Sequence, residues 1–182
     1  LKAPASQIEK GEFQMARAIL ISIRPKWTGS ILSGKKTLEL RKNRPKLKTP
    51  FKCYIYETKA RTEADRTSEK EADAGKVYGR GMVVAEFICD EIKRISIPYP
   101  PTQADLDMPI YENSCLSYEQ VRSYCKDSDA FFWHISSLKI YDSPEPLSEF
   151  ARLRETKFGY ELLQLDRAPQ SWCYVPEKKE EN

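Results

Sequence analysis

The chain has 182 residues, with 30 Lys or Arg against 27 Asp or Glu and a formal net charge of +3. Such a length fits one domain with short appendages, because a single core organises about 100–150 residues, and an apolar content of 40% rules out wholesale disorder. No apolar run approaches the roughly 20 residues of a membrane helix, so no membrane partner is expected.

Residues 1–14 (LKAPASQIEKGEFQ) are polar and follow no period of 2 or 3.6. They also lack the apolar stretch of about 7–15 residues that marks a signal peptide. Met15 directly precedes a strand-like run, so residues 1–14 are read as an appended or disordered tail, with a short native extension as the alternative. A single domain is expected over 15–176, and 177–182 (EKKEEN) read as a second disordered tail.

Ala18–Arg24 (AILISIR) has the β-branched content of a buried strand. Pro25 stands where a first helical residue would and Gly34 where a helix would end, which predicts a short helix over Pro25–Ser33. In Thr37–Lys42, Leu38 and Leu40 face one way and Thr37, Glu39 and Arg41 the other. Pro45 and Pro50 break a basic loop. Phe51–Thr58 is a further strand, and residues 59–76 are charged, nearly without apolar groups, and predict a long exposed loop. Met82–Cys89 is a central strand running on irregularly to Ile97, where PYPP ends it. Ser117 and Gln120 form a capping box for a helix through Cys125. Phe131–Tyr141 reads as one strand, Leu147–Phe150 as a helical turn and Ser171–Val175 as a last strand. Five or six strands with two or three short helices, not alternating regularly, disfavour a doubly wound parallel sheet and fit an α+β domain, a small mixed, partly closed β-barrel.

Five cysteines (Cys53, Cys89, Cys115, Cys125 and Cys173) without a CxxC read as free thiols of a reducing cytoplasm. One histidine, His134, and no paired Cys spacing give no zinc ligand set, and no other metal or cofactor is expected. Cys115, beside Ser114, and His134 could make a thiol nucleophile if they meet; a small buried Cys at a helix approach and a hydrogen-bonded strand His are the alternative.

The near-neutral total hides an asymmetry. Arg24 to Lys48 holds nine Lys or Arg (among them Arg24, Lys26, Lys36, Arg41 and Lys42) and one acid, Glu39. Such clustering fits either a solvated face or an anionic partner such as nucleic acid or a nucleotide. Within it lies GKKTLELR, where Glu39 and Arg41 share a strand face with Lys36 at its corner. The three converge if that face borders a cleft, or form an ordinary surface pair if it does not.

Gly34, Lys36, Glu39 and Arg41 spell G-x-K-x-x-E-x-R after a short helix and an ISIRP strand, which resembles the ASCH domain, a small module with a PUA-like β-barrel. The likeness extends through PFKCYIYETK, VVAEFICDEI, FFWHISSLKIYDSPEPLSEF and APQSWCYV, roughly residues 16–175, as in bacterial and phage-type members. The resemblance implies a cleft between barrel and helix floored by Lys36, Glu39 and Arg41, and an RNA- or nucleotide-binding role, with regulation as its expected purpose. Lys and Arg would take phosphates, with Ser114 and His134 at the cleft and Trp172 as the aromatic best placed to stack a base, ahead of Trp27 and Trp133. Some relatives are enzymes. One branch removes the acetyl group from acetylcytidine with the motif lysine, a threonine three residues on and a downstream glutamate. Here Lys36 is present, Glu39 replaces the threonine and Glu112 is the candidate acid. Other relatives are associated with ribonuclease activity, a metal-independent role for which Lys36 and Glu39 are the catalytic candidates.

Overall fold

The computed structural model describes residues 7–9, 16–60, 79–126 and 128–178. The expected first strand is β2 (Arg17–Ile23), and its two-residue period serves two cores at once. Ile19, Ile21 and Ile23 enter one apolar cluster with Ile55, Phe87 and Trp133, while Ala18 and Leu20 enter another with Tyr54, Val83 and Phe150. A strand buried on both faces must sit centrally, and β2 does: it runs parallel to β4 (Phe51–Glu57) and antiparallel to β11 (Trp172–Pro176). With β5 (Met82–Cys89) and β8 (Ser136–Pro146) these make a five-stranded sheet in the order β11-β2-β4-β5-β8. A parallel pair needs a crossover. Here it includes helix α1 (Pro25–Leu32) and strand β3 (Leu38–Arg41), and the motif runs from the turn between them into β3.

β3 belongs to a second sheet, pairing with β7 (Ala130–His134), which in turn pairs with β6 (Ile92–Ile95). The helices α2 (Gln103–Leu106), α3 (Pro109–Ser114) and α4 (Tyr118–Cys125) follow β6. A third core forms where Leu38, Leu40 and Phe132 meet Ile110 of α3 and Val121 and Cys125 of α4. The Ser117–Gln120 capping box starts α4 as expected. A third sheet joins β1 (Gln7–Glu9), β10 (Gly159–Gln164) and β9 (Ala151–Thr156) in the order β1-β10-β9. Its strand β1 falls within the stretch 1–14 read as a tail.

The α+β class holds, but the expected barrel of five or six strands does not. Among the described residues the strands form three sheets with no ladder closing them into a barrel. The reason lies in two breaks inside apparently continuous strands. The stretch read as one strand from Phe131 to Tyr141 stops at His134 and resumes at Ser136: up to the Ile135 amide, which donates to the Thr37 carbonyl, it follows β3, and from Ser136 it pairs with β5 in the other sheet. The run from Met82 to Ile97 breaks likewise after Cys89. Each break hands the chain from one sheet to another. The charged loop expected over 59–76 lies outside the described residues beyond position 60. Among the described residues no helix is long and apolar enough to cross a membrane.

Candidate functional site: a buried lysine, glutamate and arginine beneath a basic surface

Local sequence delivers the motif to its place. Pro25 begins α1, and Gly34 takes φ +75° just past its end, so the chain reverses without a Cβ penalty. The turn is closed by the Gly34 amide donating to the Ile31 carbonyl and the Lys36 amide to that of Ser30. The Thr37 amide then donates to Asn113, tying the start of β3 to the end of α3.

From there the motif side chains go inward. Lys36, Glu39 and Arg41 are 2%, 7% and 6% exposed, so the expected open cleft floor is instead a buried cluster. The physical reason is that β3 is covered on both faces: Leu38 and Leu40 face the helices, and Glu39 lies opposite Trp133 in the ladder to β7, on the other face. The Glu39 carboxylate bridges the two cations, at 3.4 Å from Lys36 Nζ and 3.0 Å from Arg41 Nη2. Lys36 Nζ also donates to the Ser114 carbonyl at 2.7 Å and lies 5.3 Å from the centroid of the Trp27 ring. That carbonyl is at the C-terminal end of α3, where the helix dipole favours a cation. Arg41 Nη2 donates to the Ser22 carbonyl at 2.8 Å, and Nη1 to Ser171 Oγ at 3.2 Å. One arginine thus links β3, β2 and the approach to β11. Arg41 Nε and Trp133 Nε1, both buried, have no hydrogen-bond partner among the described residues. An N–H left so costs about 1–3 kcal/mol.

The remaining candidates divide between surface and support. Arg24 and Lys26 are exposed at the start of α1, Lys26 Nζ lying 4.8 Å from the Trp27 centroid. Lys42 is exposed, with Nζ 5.0 Å from the Tyr124 ring. Ser114 is fully buried and offers its carbonyl to Lys36. His134 does not join the cluster: it shares the face of Leu38, and its Nδ1 is 2.7 Å from Asp90 Oδ1. That hydrogen bond is the main reason the Asp90 carboxyl titrates below its ordinary range. The Cys115 thiol donates to the Lys35 carbonyl, so neither member of the imagined thiol–imidazole pair is hydrogen-bonded to the other. Glu112 is exposed on α3 and takes no part in the cluster. Trp172 is half-buried, donates through Nε1 to Asn43 at 2.9 Å, and packs against Trp133 and Tyr174. All five cysteines are free; burial pushes the thiols of Cys53 and Cys125 up, that of Cys89 to about 12 and that of Cys173 to about 11. Among the described residues no three His, Cys, Asp or Glu side chains are grouped to hold a metal ion.

Two buried members aside, the basic stretch is a surface. Arg24, Lys26, Lys35, Lys42, Arg44, Lys46 and Lys48 are exposed. Arg44, Lys46 and Lys48 wall a recess of about 340 Å³ together with Leu47 and Ile92. Chemically, the cluster is better suited to hold geometry than to attack a substrate. The Lys36 ammonium is hydrogen-bonded to a carbonyl, ion-paired with a carboxylate and set beside an aromatic ring.

Over residues 21–179 the sequence matches the family model described as the ASCH domain. The chain belongs to the ASCH domain family. No curated protein matches it by sequence. Among solved structures, this ASCH chain is similar to a single-substitution variant of ZmASCH from Zymomonas mobilis, with a TM-score of 0.51 at 18% identity, covering 88% of this chain and 91% of that one. The unsubstituted ASCH protein of the same organism gives a TM-score of 0.49 at 18% identity, with 88% of each chain covered. At that identity the likeness concerns the fold. Sequence reasoning missed Ser22 and Ser171 as holders of Arg41, since a carbonyl partner leaves no composition signal. It also passed over Arg152 and Arg154, although their spacing puts both on one face of a strand.

Proposed function

We propose that this ASCH domain binds single-stranded RNA, or a nucleotide-like anion, on the surface formed by the Arg24–Lys48 stretch. The observation that carries this reading is the partition of its nine cations: seven are exposed, and the other two are locked beneath them around Glu39. Exposed Lys and Arg without acids among them attract phosphates and release counterions on contact. The buried trio has a different task. It fixes α1, β3 and β11 to one another, so that the surface cations start from a rigid base. Hydrolysis finds less support, because Lys36 is committed to Ser114 and Glu39 and Glu112 stands apart.

Fluorescence anisotropy of a labelled single-stranded RNA tests the reading. Between about 50 and 200 mM salt the logarithm of the association constant should fall linearly with the logarithm of salt. Replacing Arg44, Lys46 and Lys48 together with Ala should make that slope shallower by about 2, at roughly 0.7 per phosphate contact. RNA binding that ignores salt, or that is unchanged in the triple variant, would refute it.

A further inference from the structure

A second recess, of about 420 Å³, opens between β9 and β11 and is lined by Asn43, Arg152, Arg154, Ser171, Trp172 and Tyr174, with Glu155 also on its wall. It differs in kind from the lysine-rich recess of the basic loop. Two aromatic rings, Trp172 and Tyr174, stand edge to face with centroids 5.5 Å apart. Trp172 is held by its hydrogen bond to Asn43, and the Tyr174 hydroxyl accepts from the Lys46 amide at 2.8 Å. Both rings are therefore pinned before any ligand arrives, which lowers the entropy cost of stacking. Arg152 is exposed and has no ion-pair or hydrogen-bond partner among the described residues, whereas its neighbour on the same face, Arg154, is paired with Glu161. β9 and β11 are each the last strand of their sheet, so backbone donors and acceptors border the gap.

We propose that this recess is a nucleotide-binding site, in which a base stacks on Trp172 and Tyr174 while the guanidinium of Arg152 takes the phosphate. A stacking platform beside an uncommitted arginine suits a ring that carries an anion, and neither a bare phosphate nor an apolar ligand uses both halves. Glu155 on the wall limits the net positive charge of the site, so the base supplies much of the affinity. The site communicates with the motif through Ser171, which lines the recess and accepts from Arg41. The inference deepens the RNA-binding reading by naming where one nucleotide of the ligand would be held, and it can fail separately.

Isothermal titration of the full chain with nucleoside monophosphates, with ribose 5-phosphate and with a short RNA oligomer tests the site. The base-bearing probes should bind, and ribose 5-phosphate should bind at least about fivefold more weakly, as expected for a lost stack. Arg152→Ala, at an exposed position, and Trp172→Ala should each weaken nucleotide binding about fivefold or more, and Trp172→Phe should restore most of the loss, separating stacking from packing damage. A response to monophosphates points to a free nucleotide as the source of the ligand. A response to the oligomer alone, still weakened by Arg152→Ala, points to one unit of an RNA chain. Equal binding of all probes by the unchanged chain, Arg152→Ala and Trp172→Ala would overturn the site. If the oligomer then still depends on Arg44, Lys46 and Lys48, the surface reading survives that failure. If monophosphates bind the recess while the oligomer shows no salt dependence, the site stands and the surface reading falls.

Discussion

Glu39 stands between two buried cations, and its removal has a sign that can be worked out from geometry alone. Glu39→Ala would leave Lys36 and Arg41 facing each other without the carboxylate that lies 3.4 and 3.0 Å from them. Breaking a buried ion pair from one side costs about 3–5 kcal/mol, because the surviving charge stays buried and uncompensated. Chemical denaturation should show a loss of that order, and a loss below about 1 kcal/mol would mean that the cluster opens to water. Arg41→Lys keeps the charge but surrenders the planar fork that reaches Ser22 and Ser171 together, so it should also destabilise. At the exposed Asp90–His134 pair the lever is pH. Asp90 titrates below its ordinary value because His134 hydrogen-bonds it. The stability it contributes is complete above the ordinary carboxylate range and is lost as pH falls through the lowered folded value. Asp90→Asn should therefore lower the denaturation midpoint slightly at neutral pH and leave the acid end, where that contribution is already lost, almost unchanged.

Elements add their own tests. A Cβ on Gly34 would meet nothing within 4 Å, so Gly34→Ala carries no clash, only the strain of φ +75°. The expected cost is about 1–2 kcal/mol, read as a lowered melting temperature of a chain that still folds. Ser117→Ala removes the acceptor for the Gln120 amide at the start of α4 and should cost about 1 kcal/mol. These two positions were legible because their signals are local: a glycine after a helical turn, and a serine three residues ahead of a glutamine. So were β2, α1 and β3, whose patterns sit within single runs. The polar face of β3 misled for the opposite reason. Its alternation predicted the direction of Glu39 and Arg41 but not the presence of Trp133 across the ladder, which is set by β7 more than ninety positions away. The β9–β10 hairpin went unread because ARLRETKFGYELLQ is too charged to advertise strands, and only Gly159, at φ +141°, marks its turn. For the candidate site, composition located the cations, while their division into buried braces and exposed contacts needed the tertiary pairing.

Across the whole molecule, the thiols report on packing. Cys53, Cys89, Cys125 and Cys173 are buried, whereas Cys115 is half-buried at the C-terminal end of α3. The thiolate is the reactive form, so the folded chain should show one fast-reacting thiol towards a disulfide reagent, absent in Cys115→Ser, and four that react only on unfolding. Two or more fast thiols would place another cysteine at the surface. One arrangement described above also governs order in time. β11 pairs with β2 across Trp172–Ile21 and Val175–Ala18, and Ser171 supplies a partner for Arg41. The first central strand and the motif arginine therefore wait for residues from the far end of the chain before their bonds are complete. Contacts of such long sequence separation slow folding. A nascent chain that has emerged only as far as β10 holds its lysine, glutamate and arginine but lacks the strand that braces them, so the cluster is completed late, when β11 zips on.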